Sequence, residues 1–327
     1  MMKVRNPGLR RLGAAALLLG LAGPLLAQAP YPSRAITLVV PFAPGGIADV
    51  TARAVAEAMA KDLGQPIVVD NRPSAGSIVA TQAVAKAAPD GHTLLLMSNG
   101  NAVSVGLFKK LPYDTLKDLT PVSTLGFFDL AAFVPSNSRF ATLQQAMQYA
   151  KAHPGKLTVG TIAVGSTQHL AAKLFETESG ADFLTVPYKG SPAVLTALRA
   201  GEIDLALEIV GPMLPQVGAG VVKALAVTGE QRNPALPEVP TMQQAGIQGY
   251  KVSSWNAIAA PAGTPAAIVE RLNRAIRAAV AAPATAAKLE KLGMRLQAGS
   301  PEQAQALLAG EIRRWGEVIV KAKIEAE

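Results

Sequence analysis

The chain has no cysteine in 327 residues, which excludes a disulfide scaffold, a thiolate metal site and a cysteine nucleophile. It has only three histidines, His92, His153 and His169, and no two of them have the helical spacing of metal ligands, so no metal is expected. Aromatic residues are 5% of the chain and charged residues 17%, without runs of one sign or basic stretches interleaved with aromatics. Nucleic acid is therefore not an expected partner. The dinucleotide pattern G-x-G-x-x-G, the Walker phosphate loop and, around Ser166, the nucleophile elbow G-x-S-x-G are all missing, so neither a nucleotide cofactor nor a hydrolase is expected.

What is present begins with a leader. Lys3, Arg5, Arg10 and Arg11 form a basic start, Leu12 to Leu26 is apolar, and Ala27-Gln28-Ala29 fits a small-residue cleavage site. Residues 1–29 thus read as a secretory signal peptide, cut after Ala27 or Ala29, which places the mature protein in the periplasm. Four of the net +8 charges lie in this leader, so the mature chain is only mildly basic, a balance that suits drawing in a small anion. With 50% hydrophobic residues over this length, a large core and two domains are expected.

The stretch Ile36 to Arg53, ITLVVPFAPGGIADVTAR, organises the rest. An apolar strand enters a Pro/Gly turn, and a helix starts near Ile47. The first amides of a helix lack intrahelical partners and carry partial positive charge, so such a turn captures anions. The pattern recurs at Arg72–Ser77 before a helix Ile78–Ala88, and at Thr161–Thr167 before a helix Gln168–Ser179. Short Val/Ile/Leu-rich runs alternating with helical spacing predict an α/β fold with parallel strands. A long extended run, Val122–Val134, leaves the first alternating set for a second, and strand Trp255–Ala260 returns from it. Two lobes are expected, 30–127 with 251–327 and 128–250, in a two-lobe periplasmic-binding-protein fold of type II kind with a hinged cleft between them. Ligands of open α/β sheets lie beyond the C-terminal strand ends, where all three turns fall.

The expected ligand contacts are Phe42, Ala43, Gly45, Gly46 and Asp49 in the first turn, Ala75, Gly76 and Ser77 in the second, and Ser98 at a strand end. Gly165, Ser166, Thr167 and His169 in the third turn, Tyr188, and Glu208 complete them. The glycines serve turns whatever the function, Ser166 and Thr167 read as helix caps, ligand donors or both, and Asp49 either stabilises its helix start or receives an ammonium group. Glu208 either meets a ligand amine, repels a ligand carboxylate, or meets Lys189 or a hydroxyl away from the ligand.

Tyr31-Pro32-Ser33-Arg34 with LVVPFAPGG, GQPIVVDNRPSAGSIVA (Gly64–Ala80), AAPDGHTLLL (Ala87–Leu96) and LPYDTLKDLTPVS (Leu111–Ser123) follow one another in order. So do GSTQHLAAKLF (Gly165–Phe175), VPYKGS (Val186–Ser191), ALAVT (Ala224–Thr228), PALPEVPT (Pro234–Thr241) and SWNAIAAPAGTP (Ser254–Pro265). In this order, from Tyr31 to the C-terminus, they resemble the Bug-type extracytoplasmic solute receptors of tripartite tricarboxylate transporters. The resemblance implies a non-enzymatic, cofactor-free monomer. It implies capture of a small carboxylate (a di- or tricarboxylate, an amino acid or an aromatic acid) and its delivery to a membrane permease. It also places His169 in the family's GSTxH motif. A sensor subunit presenting the same ligand to a signalling partner is the alternative. Two departures stand out: Glu208 replaces the family's usual Asp, and Asn99-Gly100-Asn101 replaces a Thr- or Ser-rich turn.

Overall fold

The computed structural model describes residues 1, 2, 31–321 and 324–326. Apart from its first two residues, the leader expected at 1–29 lies outside the described residues.

The first alternating set is β1 (Ile36–Val40), α1 (Ile47–Leu63), β2 (Ile67–Asn71), a 3-10 turn at Ala75–Ser77, α2 (Ile78–Ala85), β3 (Thr93–Ser98) and α3 (Asn99–Leu107). The long strand β4 (Leu119–Pro135) leads to α4 (Leu143–Ala152), β5 (Leu157–Ile162), α5 (Thr167–Ser179), β6 (Phe183–Tyr188) and α6 (Ser191–Ala200). Then come β7 (Leu205–Ile209), α7 (Val210–Gly218) and β8 (Val222–Val227). The chain returns through β9 (Ser253–Pro261) and closes with α8 (Ala266–Ala281), α9 (Pro283–Lys291), β10 (Met294–Leu296) and α10 (Pro301–Lys321).

The strands form one curled sheet in the order β2-β1-β3-β9-β4-β7-β5-β6, with β8 and β10 also on β4. Within each set the βαβ strands are parallel, as β1 is with β2 and β3, and β5 with β6 and β7. The sheet is nevertheless mixed, because β4 runs antiparallel to β9, β7, β8 and β10. Leu119–Asp129 of β4 pairs with β9, and from Leu130 onward its partners are β7 and β8. One strand thus joins two sheet halves. At that switch buried Thr228 bonds both passing chains: its hydroxyl lies 3.1 Å from the Leu130 amide and carbonyl and 2.7 Å from the Val252 carbonyl.

The helix read as Ile78–Ala88 ends at Ala85, and three further differences from the sequence reading have a local cause. β4 begins before Pro121, because the register slips between Pro121 and Ser123, and a bulge needs no amide from proline. Asn99-Gly100-Asn101 is the first turn of α3 rather than a loop; Ser98 and Asn101 form a reciprocal capping box there. Thr264, a cap-type residue standing before a helix-start proline in the sequence, does not cap α8, since its hydroxyl donates to the Pro261 carbonyl at 2.7 Å and Pro265 takes the cap position. Ser300 and Gln303 form a capping box at α10, and Trp315 is fully buried in the core.

Candidate functional site

A cleft of about 620 Å³ opens between the sheet halves. Its walls come from the C-terminal ends of the parallel strands: Pro41–Pro44 after β1, Pro73–Ala75 after β2, Ser98 on β3, Ile162 and Ala163 at β5, Lys189 and Gly190 after β6, and Ile209 on β7. β4 and β9 add Phe128, Ser254 and Asn256 as a floor.

Five helices direct their N-termini here: α1, α3, α5, α6 and α7. They fall into two groups. α3 and α5 are self-capped. Ser98 Oγ accepts from the Gly100 amide at 3.2 Å, and Ser166 Oγ from the His169 amide at 3.1 Å. α1, α6 and α7 start at Gly46, Gly190 and Ile209 with no side-chain cap. A helix start without a cap leaves amide donors that need water or an anion. Among the described residues no carboxylate lines the cleft, and Lys189 is the one cationic lining residue. Among the described residues Lys189 takes part in no ion pair. The rest of the lining is largely apolar, led by Phe42, Ile47, Phe128 and Ile162. The geometry suits an anionic head held by helix amides and a hydrocarbon body.

Of the residues singled out by sequence, Phe42, Ala43, Gly46, Ala75, Ser98, Ser166 and Thr167 line the cleft. Thr167 also shares a hydrogen bond of 3.0 Å with Ser254, linking α5 to β9. Gly45, Asp49, Gly76, Ser77, Gly165, His169, Tyr188 and Glu208 are not lining residues. The carboxylate of Asp49 turns back into its own loop, where it accepts from the Gly45 amide at 2.9 Å, Arg53 Nε at 3.0 Å and Asn71 Nδ2 at 3.0 Å. Burial pushes its pKa up, but these donors outweigh burial and hold it below the usual carboxylate range.

Gly76 and Gly165 hold the two halves together at the back of the cleft. The Gly76 amide donates to the Val164 carbonyl at 3.2 Å. A side chain on Gly165 would press on the Gly76 backbone at 3.0 Å, and both glycines have positive φ, +57° and +78°. Ser77, at φ 62°, lies buried behind them, and its carbonyl accepts from Thr81 Oγ1.

His169 is buried with Nδ1 unpartnered, and burial, then Lys173, pushes its pKa down to about 4, so the ring is neutral. Tyr188, its hydroxyl pKa raised by burial and then Glu202, ends β6. The following residue, Lys189, lines the cleft instead. Glu208 lies fully buried beneath the wall. Its Oε2 accepts from Ser191 Oγ at 2.9 Å, the Ile209 amide at 3.2 Å and Gln168 Nε2 at 3.3 Å, while Oε1 has no partner among the described residues. It does not pair with Lys189.

Sequence reasoning passed over Lys189–Ala193, Gln168, Phe128, Ser254 and Asn256. The turn before α6 carried a readable signal, Lys-Gly-Ser-Pro, in which glycine precedes a helix with proline in its first turn. The floor residues carried none, because a strand crossing beneath a cleft is identified only by its pairing.

A cleft at the strand ends of an α/β sheet, ringed by helix N-termini, is a place where such folds hold small anionic ligands. The chain belongs to the tripartite tricarboxylate transporter receptor family, whose model matches residues 51–324. It is a substrate-binding receptor of Bug type and not an enzyme. Its fold is similar to that of the periplasmic binding protein BugD, with 31% identity and a TM-score of 0.85 over 91% of this chain and all of that one. It is also similar to Rpa4515 of R. palustris with adipate, at 34% identity and a TM-score of 0.86, covering 91% of this chain and 100% of that one. MatC of Rhodopseudomonas palustris with bound malate is 34% identical, with a TM-score of 0.83 over 88% of this chain and 100% of the other. Family members are periplasmic binding proteins, and among the described residues no helix is long and apolar enough to cross a membrane.

Proposed function

We propose that this protein, exported by its leader, captures a small carboxylate-bearing metabolite in the cleft and delivers it to a tripartite tricarboxylate-type permease. The two lobes, 30–127 with 251–327 and 128–250, close on the ligand by a hinge at the crossing of β4 and the segment before β9. One observation carries this reading: the helix starts at Gly46, Gly190 and Ile209 face the cleft without side-chain caps, so a bound carboxylate completes them. Two relatives hold dicarboxylates of different length, adipate and malate, which supports the class of head group and leaves the body to be set by each cleft. Here Phe42, Ile47, Phe128 and Ile162 favour an apolar body over a second or third charge, because only Lys189 supplies a formal counter-charge.

The test is a thermal-shift panel of adipate, malate, glutamate and an aromatic acid such as nicotinate, followed by small-angle scattering. One carboxylate should raise the melting temperature in a concentration-dependent way, by about 2.7 kcal/mol of added stability at a hundred times its Kd. The same ligand should compact the protein. No shift with any carboxylate, or identical scattering with and without a saturating one, would refute capture by closure.

A further inference from the structure

Glu208 is fully buried two residues before the start of α7, and its carboxyl is supplied unequally. Oε2 takes all three donors and Oε1 takes none. Two of the donors, Gln168 and Ser191, are themselves lining residues at the starts of α5 and α6. A serine hydroxyl has one proton. While Ser191 donates it to Glu208, only its lone pairs remain for the cleft, and lone pairs repel a ligand carboxylate. When Glu208 is protonated, it can donate instead, and the Ser191 proton is free for the ligand.

We infer that Glu208 sets the direction of the Ser191 hydroxyl, so that carboxylate capture at the start of α6 takes up one proton on Glu208. The inference rests on the reading of the cleft as a carboxylate site. The electrostatics agree with it. Burial, partly offset by Gln168, Ser191 and the Ile209 amide, pushes the Glu208 pKa up to about 7, so both forms are populated near neutrality. No cation relieves the burial. Of the elements packed on β7, β4 carries Asp129, bonded to Asn233 and Ser253. α5 carries His169, Lys173, Glu176 and Glu178; Lys173 pairs with Glu176, and Glu178 with Lys321. α6 carries Arg199, and β5 and α7 carry no charged residue. Lys189 precedes α6. Among the described residues none of these bonds or pairs with Glu208.

The sign follows. A carboxylate at Ser191 both repels ionised Glu208 and withdraws its best donor, so binding raises the Glu208 pKa further. Affinity for a carboxylate must then fall as pH rises above 7. A ligand that instead offered Ser191 an ammonium or hydroxyl proton would show the opposite slope.

The test uses the intact mature protein with adipate and malate as probes. Titration calorimetry in buffers of different ionisation enthalpy should show uptake approaching one proton per ligand at pH 8. The Kd should be about tenfold weaker at pH 8 than at pH 6, the proportion set by a group of pKa 7 in the free protein. Glu208→Gln, which keeps the shape and cannot ionise, should abolish both the uptake and the pH slope. No proton uptake, uptake that persists in Glu208→Gln, or affinity that rises with pH overturns the inference. If neither acid binds at any pH, the choice of ligand class fails, and infrared titration of the free protein still decides the inference. The C=O stretch of a protonated carboxyl should be present at pH 6, fade by pH 8 and be missing in Glu208→Gln. Its midpoint should move up in Ser191→Ala, which deletes a donor to the ionised form. A missing band, or a midpoint indifferent to Ser191, overturns it.

Discussion

Asp49 and Glu208 are both buried acids beside helix starts on opposite sides of one cleft, and their surroundings are opposite. Asp49 is 3% exposed and receives donors from a backbone amide, an arginine and an asparagine on both oxygens. Glu208 is 0% exposed and leaves one oxygen without a partner. Both are desolvated, yet one pKa ends below its ordinary value and the other well above it. The number and charge of the donors, rather than burial itself, decide whether a buried acid is a fixed strut or a titrating group. The strut holds the glycine turn; the titrating group stands behind the wall that meets the ligand.

The largest expected effect comes from breaking the strut. Asp49→Ala leaves the Gly45 amide and one arm of Asn71 without their acceptor, and should cost about 2–4 kcal/mol in urea unfolding. Asp49→Asn keeps an acceptor and should cost about half as much. Full stability in the Ala variant would mean that the Pro41–Gly46 turn is held by other contacts.

Next comes the pH dependence of folding, where Glu208 and His169 act in overlapping windows with opposite signs. The unfolded chain releases the Glu208 proton near pH 4.5, whereas the folded chain holds it to about 7. The folded form therefore binds the extra proton between those values, and stability falls as pH rises through them, by up to about 3 kcal/mol. For His169 the folded pKa of about 4 lies below the model-compound 6.5, so the unfolded chain binds the extra proton, and stability is lost as pH falls from 6.5 towards 4 by a similar amount. Chemical denaturation across pH 4–9 should show Glu208→Gln removing a loss of stability between pH 4.5 and 7, and His169→Gln removing a gain between pH 4 and 6.5. If Glu208→Gln left the slope between pH 4.5 and 7 unchanged, Glu208 would not be the group that titrates.

The strand–turn–helix alternation was legible because each unit is local. Apolar runs, glycine stops and cap residues lie within a few positions of one another, and α1 starts at Ile47 as the turn before it predicts. The cleft's rim was legible for the same reason: Phe42, Gly46, Ser98 and Ser166 are all turn residues at strand ends. What stayed hidden is non-local. Phe128 and Asn256 reach the floor only because β4 pairs with β9 across the chain. Asp49 reads as a ligand contact until Asn71, 22 residues away, is seen to claim it. Gly76 and Gly165 read as two anion turns, and they turn out to be the place where two backbones meet. The same holds for Gly211, where a side chain would collide with the Leu292 carbonyl.

The smallest change sharpens the comparison most, because it asks whether the ligand really is the absent cap. Gly46 and Gly190 have extended φ values of −76° and 170°, so serine meets no backbone strain at either. An added Cβ has room as well: its nearest neighbours are Ala43 O at 3.6 Å and Pro192 Cδ at 3.8 Å. A serine at Gly46 would satisfy an amide from within, as Ser98 and Ser166 already do for α3 and α5; at Gly190 it would share the Ala193 amide, which already donates to the Gly190 carbonyl at 3.0 Å, because Pro192 has no amide. Each variant should therefore be as stable as the parent or more so, by a few tenths of a kcal/mol, in the absence of ligand. Carboxylate affinity should fall in the same variants, because the new hydroxyl oxygen occupies the donor and repels the incoming anion. Stability and affinity moving in opposite directions is the signature of a shared donor, whereas a damaged fold would lower both. If affinity were unchanged in both serine variants, the ligand would be held elsewhere in the cleft, and the uncapped helix starts would be met by water.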